Sequence, residues 1–311
     1  MSSEHPTYPN PTIAEAVCNI HFRLSQAKEW LSFPGKLFKH IQNDYPEMEP
    51  LVEIGLQFEQ GPLGAGTNLV PKRQKVRFKH STRPLILQLG EDFLSISTLP
   101  PYRGWKVMRR DALAAWQQVE EVLQPEVINR IGIRYINRIE KETEQDHLGT
   151  WLVANDYIPN GILRSEPGSL LRLQTRLDTE NSLIITLGDT QSEVNGEGVI
   201  IFDIDRIFER EMATGQEFLE QEIDRLHAEA WEVFSSAKGE QLEAFLNMNG
   251  EHQIYPENES NQNVVLSPEM QEFLQVLRSW CETDDQERID TWEYLKQALD
   301  EDRLSDRKLF S

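Results

Sequence analysis

The sequence is poor in cysteine, in basic residues and in long apolar runs. Its two cysteines, Cys18 and Cys281, lie far apart in the 311-residue chain, so they support neither a disulfide framework nor a cysteine-rich zinc site. No apolar run approaches the roughly 20 residues that span a bilayer. The opening residues also lack the basic and apolar segments of a signal peptide. We therefore predict a cytoplasmic protein without a membrane partner.

Acidic residues dominate the charge of the chain. The 52 Asp and Glu residues outnumber the 31 Lys and Arg residues, which gives a formal net charge of −21. Such a balance argues against general affinity for nucleic acid, because the phosphate backbone repels an acidic surface. Any site for a polyanion must therefore be local.

Hydrophobic periodicity predicts an α+β fold, with mainly antiparallel sheet packed by helices in two loosely similar halves. Apolar stripes predict helices over about residues 105–123 and 214–247, the second starting at a capping box of Thr214 and Glu217. Glycine and proline predict a loop at Gly61–Pro71. The predicted strands cover residues 13–24, 51–58, 76–78, 85–89, 93–99, 128–139, 170–177, 183–187 and 199–204.

A polar stretch without periodicity, residues 251–263, has the composition of a linker. We place a domain boundary there. Residues 1–250 are predicted to form the α+β core, with possible halves at 1–140 and 141–250. Residues 264–311 are predicted to form an acidic helical appendage.

Four ordered segments resemble a known family. They are YPNPTIAEAVCNIHF (8–22), PYRGW (101–105), RIGIRYINRIE (130–140) and IIFDIDRIF (200–208). Together they resemble a sporadically distributed bacterial family of uncharacterised function, over about residues 6–247. The patchy occurrence of such families implies a mobile locus of the antiviral defence or toxin–antitoxin type. The tail is similar to the ends of small antitoxin-like proteins. The resemblance implies no catalytic residue.

Asp203 and Asp205 are the best candidates for metal ligands. On a strand their side chains point to the same face and could share a divalent cation with Asp189 or Glu193. The competing interpretation, which we favour, is a strand end that feeds a helix. The seven histidines show no metal-type spacing, and Cys18 fits a buried, inert thiol. We predict no catalytic residue and no cofactor.

Basic residues alternate with apolar residues on three predicted strands, which places the basic side chains on one sheet face. A positively charged interaction face is one interpretation, and an ordinary solvated face is the other. The residues of this predicted face are Lys75, Arg77, Lys79, Arg130, Arg134, Arg138, Arg172 and Arg176.

The sequence thus offers evidence for surfaces and none for a reaction centre. We predict a non-enzymatic protein-interaction or accessory protein with a protein partner. One alternative is a metal-dependent hydrolase or nuclease that uses Asp203 and Asp205. Another is a nucleic-acid or nucleotide sensor that uses the basic face, although nucleic acid is not the favoured partner.

Overall fold

A computed structural model describes residues 5–24, 32–61, 64–141, 143, 146–165, 168–189 and 198–248, without the side chains of residues 52–61 and 64–74. The predicted linker at 251–263 and the predicted tail at 264–311 lie outside the described residues.

Nine strands and six helices make up this part of the chain. The strands are β1 Ile13–Arg23, β2 Glu47–Gly61, β3 Gly64–Lys79, β4 Leu85–Gly90, β5 Phe93–Thr98, β6 Val127–Glu140, β7 Leu170–Arg176, β8 Asn181–Asp189 and β9 Val199–Met212. The helices are α1 Phe33–Ile41, α2 Trp105–Leu123, α3 Leu148–Trp151, α4 Asn160–Leu163, α5 Gln216–Ala237 and α6 Glu240–Leu246.

All nine strands form one antiparallel sheet in the order β2-β3-β4-β5-β1-β6-β9-β8-β7. The predicted α+β class and the two similar halves are confirmed. In each half a first strand, β1 or β6, pairs with the last strand of an antiparallel meander, β5 or β9, and a long helix follows. The repeat in the second half begins with β6 at Val127, so the predicted division of the halves at residues 140 and 141 is misplaced. The pairing of β1 with β6 joins the halves at the centre of the sheet.

The helices pack on one face of the sheet, where alternate residues of the central strands form the core. Ile20 and Phe22 of β1 and Ile133 of β6 are almost completely buried with Trp116 of α2 and Leu226 of α5. The rings of Phe22 and Trp116 lie 5.7 Å apart. This burial stabilises each large side chain by about 1.5–3 kcal/mol. No helix in the described ranges is long and apolar enough to cross a membrane.

Two sequence predictions for α5, the helix predicted over residues 214–247, are wrong. The helix is capped by Gly215 without a side-chain hydrogen bond, and the carbonyl of Thr214 instead accepts a hydrogen bond from Trp116 Nε1 at 3.0 Å. The helix also ends at Ala237 rather than near residue 247. Gly239 interrupts it, because its backbone approaches Trp151 so closely that a Cβ would lie 2.7 Å from the Trp151 carbonyl oxygen.

The predicted loop at Gly61–Pro71 is also wrong. β2 continues to Gly61 and β3 begins at Gly64, so the two strands form a long hairpin. Glycine and proline are poor strand residues, and Pro71 lies next to the irregularity in pairing at Glu53 and Ile54. The pairing partner, rather than local propensity, determines the structure here.

Candidate functional site

The strand register places all eight basic residues of the predicted face on the side of the sheet opposite the helices. Arg134 pairs with Val17 of β1, and the row continues through Ser97 and Ile86 to Lys79 of β3. On the other side of β6 the register leads through β9 and β8 to Arg172 and Arg176. The alternation in the sequence therefore predicted the side-chain directions correctly.

The interpretation of this face as positively charged loses support, because acidic residues on neighbouring positions pair with five of the eight basic residues. Glu49 contacts both Arg77 and Lys79, at 3.3 Å and 2.7 Å. Arg130 lies 3.6 Å from Glu209. Arg138 pairs with Glu140. The face thus carries both signs, and its centre is buried, since Val17 and Ile136 on the same face as Arg134 are 2% and 1% exposed.

Arg134 and Asp203 form a buried ion pair. The guanidinium donates from Nε and from a terminal nitrogen to the two carboxylate oxygens of Asp203, at 2.9 Å and 2.8 Å, and the two side chains are only 4% and 2% exposed. Asp203 and Asp205 lie in the middle of β9, so the predicted strand end at this point is wrong. Both carboxylate oxygens of Asp203 accept hydrogen bonds from Arg134, so neither of them faces an open metal site.

The other candidate metal ligands were Asp189 and Glu193. Asp189 contacts Lys141 in the protein interior, and Glu193 lies outside the described residues. Within the described ranges no three His, Cys, Asp or Glu side chains are grouped as a metal ion requires. Cys18 is completely buried, and this burial raises the pKa of its thiol to about 12.

We predict that Asp203→Ala lowers the free energy of unfolding by about 3–5 kcal/mol, because it leaves Arg134 buried without its charge partner. The control is Glu140→Ala, which removes an exposed partner from Arg138 and should cost less than about 1 kcal/mol. Urea denaturation measures both. Calorimetric titration with Mn²⁺ gives a second test. Tight binding that is lost in Asp203→Ala would favour a metal site over an ion pair.

An aromatic pocket lies on the opposite, helix-covered side of the sheet. Its volume is about 80 Å³. The N-terminal segment, the start of α2, the centres of β6 and β9, and α5 and α6 supply its walls. The lining residues are His5, Pro6, Thr7, Tyr8, Pro11, Thr12, Ile13, Tyr102, Gly104, Trp105, Tyr135, Asn137, Ile204, His227, Ala230, Trp231, Phe234 and Leu246.

A chain of ring contacts fixes the inner wall of this aromatic pocket. His227 of α5 stacks on Trp105 of α2, with ring centroids 4.2 Å apart and planes 14° apart. Its Nδ1 is hydrogen-bonded to the hydroxyl of Tyr135 at 2.8 Å. Tyr102 packs edge-on against Tyr135 at 6.2 Å. Stacked and edge-on pairs of this kind each stabilise the fold by about 0.5–1.5 kcal/mol.

The N-terminal segment forms the outer wall. Asn10 anchors it to α6, since its backbone N–H and its side-chain amide donate to the carbonyls of Leu246 and Phe245, both at 3.2 Å. Gly104 allows the segment to approach α2, because it has a φ of 91° and a Cβ would lie 3.1 Å from the hydroxyl of Thr7. Both the positive φ and the close contact with Thr7 would strain a side chain at position 104.

Burial keeps the polar groups of the aromatic pocket uncharged. Desolvation lowers the pKa of His227 from 6.5 to about 3, with a smaller contribution from His5. Desolvation also raises the pKa of Tyr102 and of Tyr135 above the usual value of 10. Nε2 of His227 is buried and has no hydrogen-bond partner among the described residues. The aromatic pocket at neutral pH therefore presents neutral rings and one polar nitrogen without a partner.

The sequence interpretation missed this site entirely. Its residues come from segments up to about 240 positions apart, and periodicity treats each of them as ordinary core. A signal was nevertheless present, since Tyr8, Tyr102, Trp105 and Tyr135 lie within the motifs that carry the family resemblance. No protein-family model matches the chain, and no curated protein sequence matches it.

We predict that His227 makes the protein sensitive to mild acid. The unfolded chain binds a proton at the ordinary pKa of 6.5, whereas the folded state binds it only near pH 3. The stabilisation is therefore complete above pH 6.5 and is lost as the pH falls towards 3. In His227→Gln the fall in unfolding free energy between pH 6 and 5 should be shallower by about 1.4 kcal/mol per pH unit. His40→Gln, at an exposed histidine, is the control, and equal slopes in all three proteins would contradict the prediction.

Proposed function

We propose that the protein is a non-enzymatic interaction protein, and that it anchors a protein partner by taking one uncharged side chain of that partner into the aromatic pocket. The observation that carries this proposal is the size and lining of the pocket, a partly open cavity of about 80 Å³ walled by five tyrosine and tryptophan rings.

The size of the cavity favours a side chain over a free metabolite. Sites for drug-sized ligands occupy about 300–1,000 Å³, and an engineered cavity of about 150 Å³ holds benzene. The aromatic pocket, with about 80 Å³, is smaller but open on one side, so it admits one branched or planar side chain that extends out through its mouth. Protein interfaces gain most of their affinity from a few such side chains inserted into preformed pockets.

The electrostatics favour an uncharged occupant. The described residues that line the aromatic pocket include no Asp, Glu, Lys or Arg. The same burial that lowers the pKa of His227 to about 3 would penalise a lysine or arginine head group. An aromatic cage can hold a cation, but no carboxylate is among the described residues that line this one. An aromatic or aliphatic side chain fits better.

The surroundings of the aromatic pocket favour a basic partner. Helix α5, which supplies His227 and Trp231, carries six acidic residues and one arginine. Some of these acids pair with Arg109 and Arg225, whereas Glu232, next to Trp231, is exposed. Exposed carboxylates beside an apolar anchor site accelerate encounter with a positively charged surface.

All four motifs of the proposed family resemblance supply residues to the aromatic pocket. Three of these segments contribute to the neighbouring strands β1, β6 and β9, and residues 101–105 meet them at the aromatic pocket, which supports a shared function at this site. The motif residues in the lining are Tyr8, Pro11, Thr12, Ile13, Tyr102, Gly104, Trp105, Tyr135, Asn137 and Ile204. A role in a mobile antiviral defence or toxin–antitoxin locus stays a prediction from the resemblance.

The alternative functions have weaker support. A hydrolase that uses Asp203 and Asp205 conflicts with the bidentate binding of Asp203 by Arg134. A nucleic-acid sensor that uses the sheet face conflicts with the carboxylates that neutralise its basic residues, such as Glu49 beside Arg77 and Lys79.

The test uses capped, fluorescein-labelled pentapeptides in which one central residue is flanked by two arginines on each side. We expect the peptides with a central tryptophan or leucine to bind at least about 30-fold more tightly than the peptide with a central alanine, as for an anchoring side chain. Fluorescence anisotropy measures the affinity. Trp231→Ala should abolish the preference, because it removes one wall of the aromatic pocket. Phe218→Ala is the matched control, since Phe218 lies on the same helix and is 57% exposed.

Two results would overturn the proposal. Equal affinity for central tryptophan, leucine and alanine would show that the aromatic pocket anchors nothing. Tightest binding of a peptide with a central lysine would identify a cation site instead.

A further inference from the structure

The N-terminal segment already places a ring of its own in the aromatic pocket. The imidazole of His5 stacks on Trp231, with centroids 4.9 Å apart and planes 26° apart, and packs edge-on against His227 at 5.1 Å. Burial lowers the pKa of His5 below 6.5 although Glu232 raises it, so the imidazole is largely neutral at pH 7. His5 is therefore an uncharged planar group of the kind that the proposed partner would supply.

The attachment of the segment is uneven along its length. At Asn10 and Thr12 it is bound by backbone hydrogen bonds to α6 and to β6, the second from the Arg138 N–H to the Thr12 carbonyl at 2.8 Å. Closer to the N-terminus, Tyr8 is bound to Lys238 by a hydrogen bond of 2.6 Å. Beyond Tyr8 the contacts of His5 are ring contacts, which are individually weak.

The residue composition lets this outer part move as a unit. Pro6 and Pro9 fix two of the backbone dihedral angles, so the segment HPTYP is stiff. A stiff segment anchored at Asn10 opens by rotation about a few bonds near that residue, which breaks the hydrogen bond between Tyr8 and Lys238, rather than by local unfolding.

We infer that residues 5–9 form a strap, and that His5 is an internal occupant that a partner's side chain must displace from the aromatic pocket. This inference rests on the proposed function. The strap makes the observed affinity depend on the fraction of molecules in which it is open, because a partner binds only that fraction.

The test compares His5→Ala, His5→Phe and the control His40→Ala, a change at an exposed histidine on α1, in the full chain. Acrylamide quenching reports the access of solvent to Trp231. Since the chain has seven tryptophans, the contribution of Trp231 is obtained by subtracting the same variant with Trp231→Phe. We expect His5→Ala to raise the quenching of Trp231 about twofold, and His5→Phe to leave it low because phenylalanine preserves the stack.

Peptide affinity is the second measurement, with the arginine-flanked tryptophan peptide as the probe. If about one molecule in five is open, His5→Ala should tighten binding about fivefold, whereas His5→Phe should not tighten it. The two measurements separate the two proposals. Absence of peptide binding to every variant would refute the proposed function, and the quenching would still decide whether the strap covers Trp231.

The strap is overturned by either of two outcomes. Unchanged quenching in His5→Ala would show that His5 does not cover the aromatic pocket. Increased quenching together with weaker peptide binding would show that His5 belongs to the binding surface and does not compete with the partner.

Discussion

The antiparallel pairing of β1 with β6 is the contact on which the rest of the structure depends. It joins the two halves into one sheet, and it sets the position of every other strand through the register. At the end of this pair Thr12 donates its hydroxyl proton to Asn137 at 2.9 Å, and Asn137 in turn donates to the Phe202 carbonyl of β9 at 3.0 Å. These buried hydrogen bonds hold three strands together beneath the aromatic pocket.

Buried polar groups are paired in different ways on the two faces of the sheet. On the face away from the helices, Arg134 and Asp203 satisfy each other as an ion pair, which is costly to break and leaves little for a ligand. On the helix side, Tyr135 and His227 satisfy each other as neutral groups, and Nε2 of His227 is left without a partner. A neutral site with one unused polar atom is better suited to reversible binding than a closed ion pair.

The sequence predicted the parts of the fold that depend on local periodicity. The helix Trp105–Leu123 and the directions of Lys79 and Arg134 follow from patterns within a few residues. The acidic partners of the basic residues could not be predicted, because Asp203 meets Arg134 only through the pairing of β6 with β9. The break at Gly239 depends on a contact with Trp151, which no helical pattern contains. The aromatic pocket was missed for the same reason, since tertiary structure alone brings Tyr102 to Tyr135.

The central position of the β1–β6 pair also has a consequence for synthesis. Ile13 pairs with Asn137, so more than a hundred further residues are synthesised after β1 before it has neighbours on both sides. The aromatic pocket forms later still, because α5 must first pack on the finished sheet. Such non-local contacts slow folding and expose an unpaired strand edge in the nascent chain. The edge of β1 that later pairs with β6 therefore stays without its partner until the centre of the chain has been synthesised.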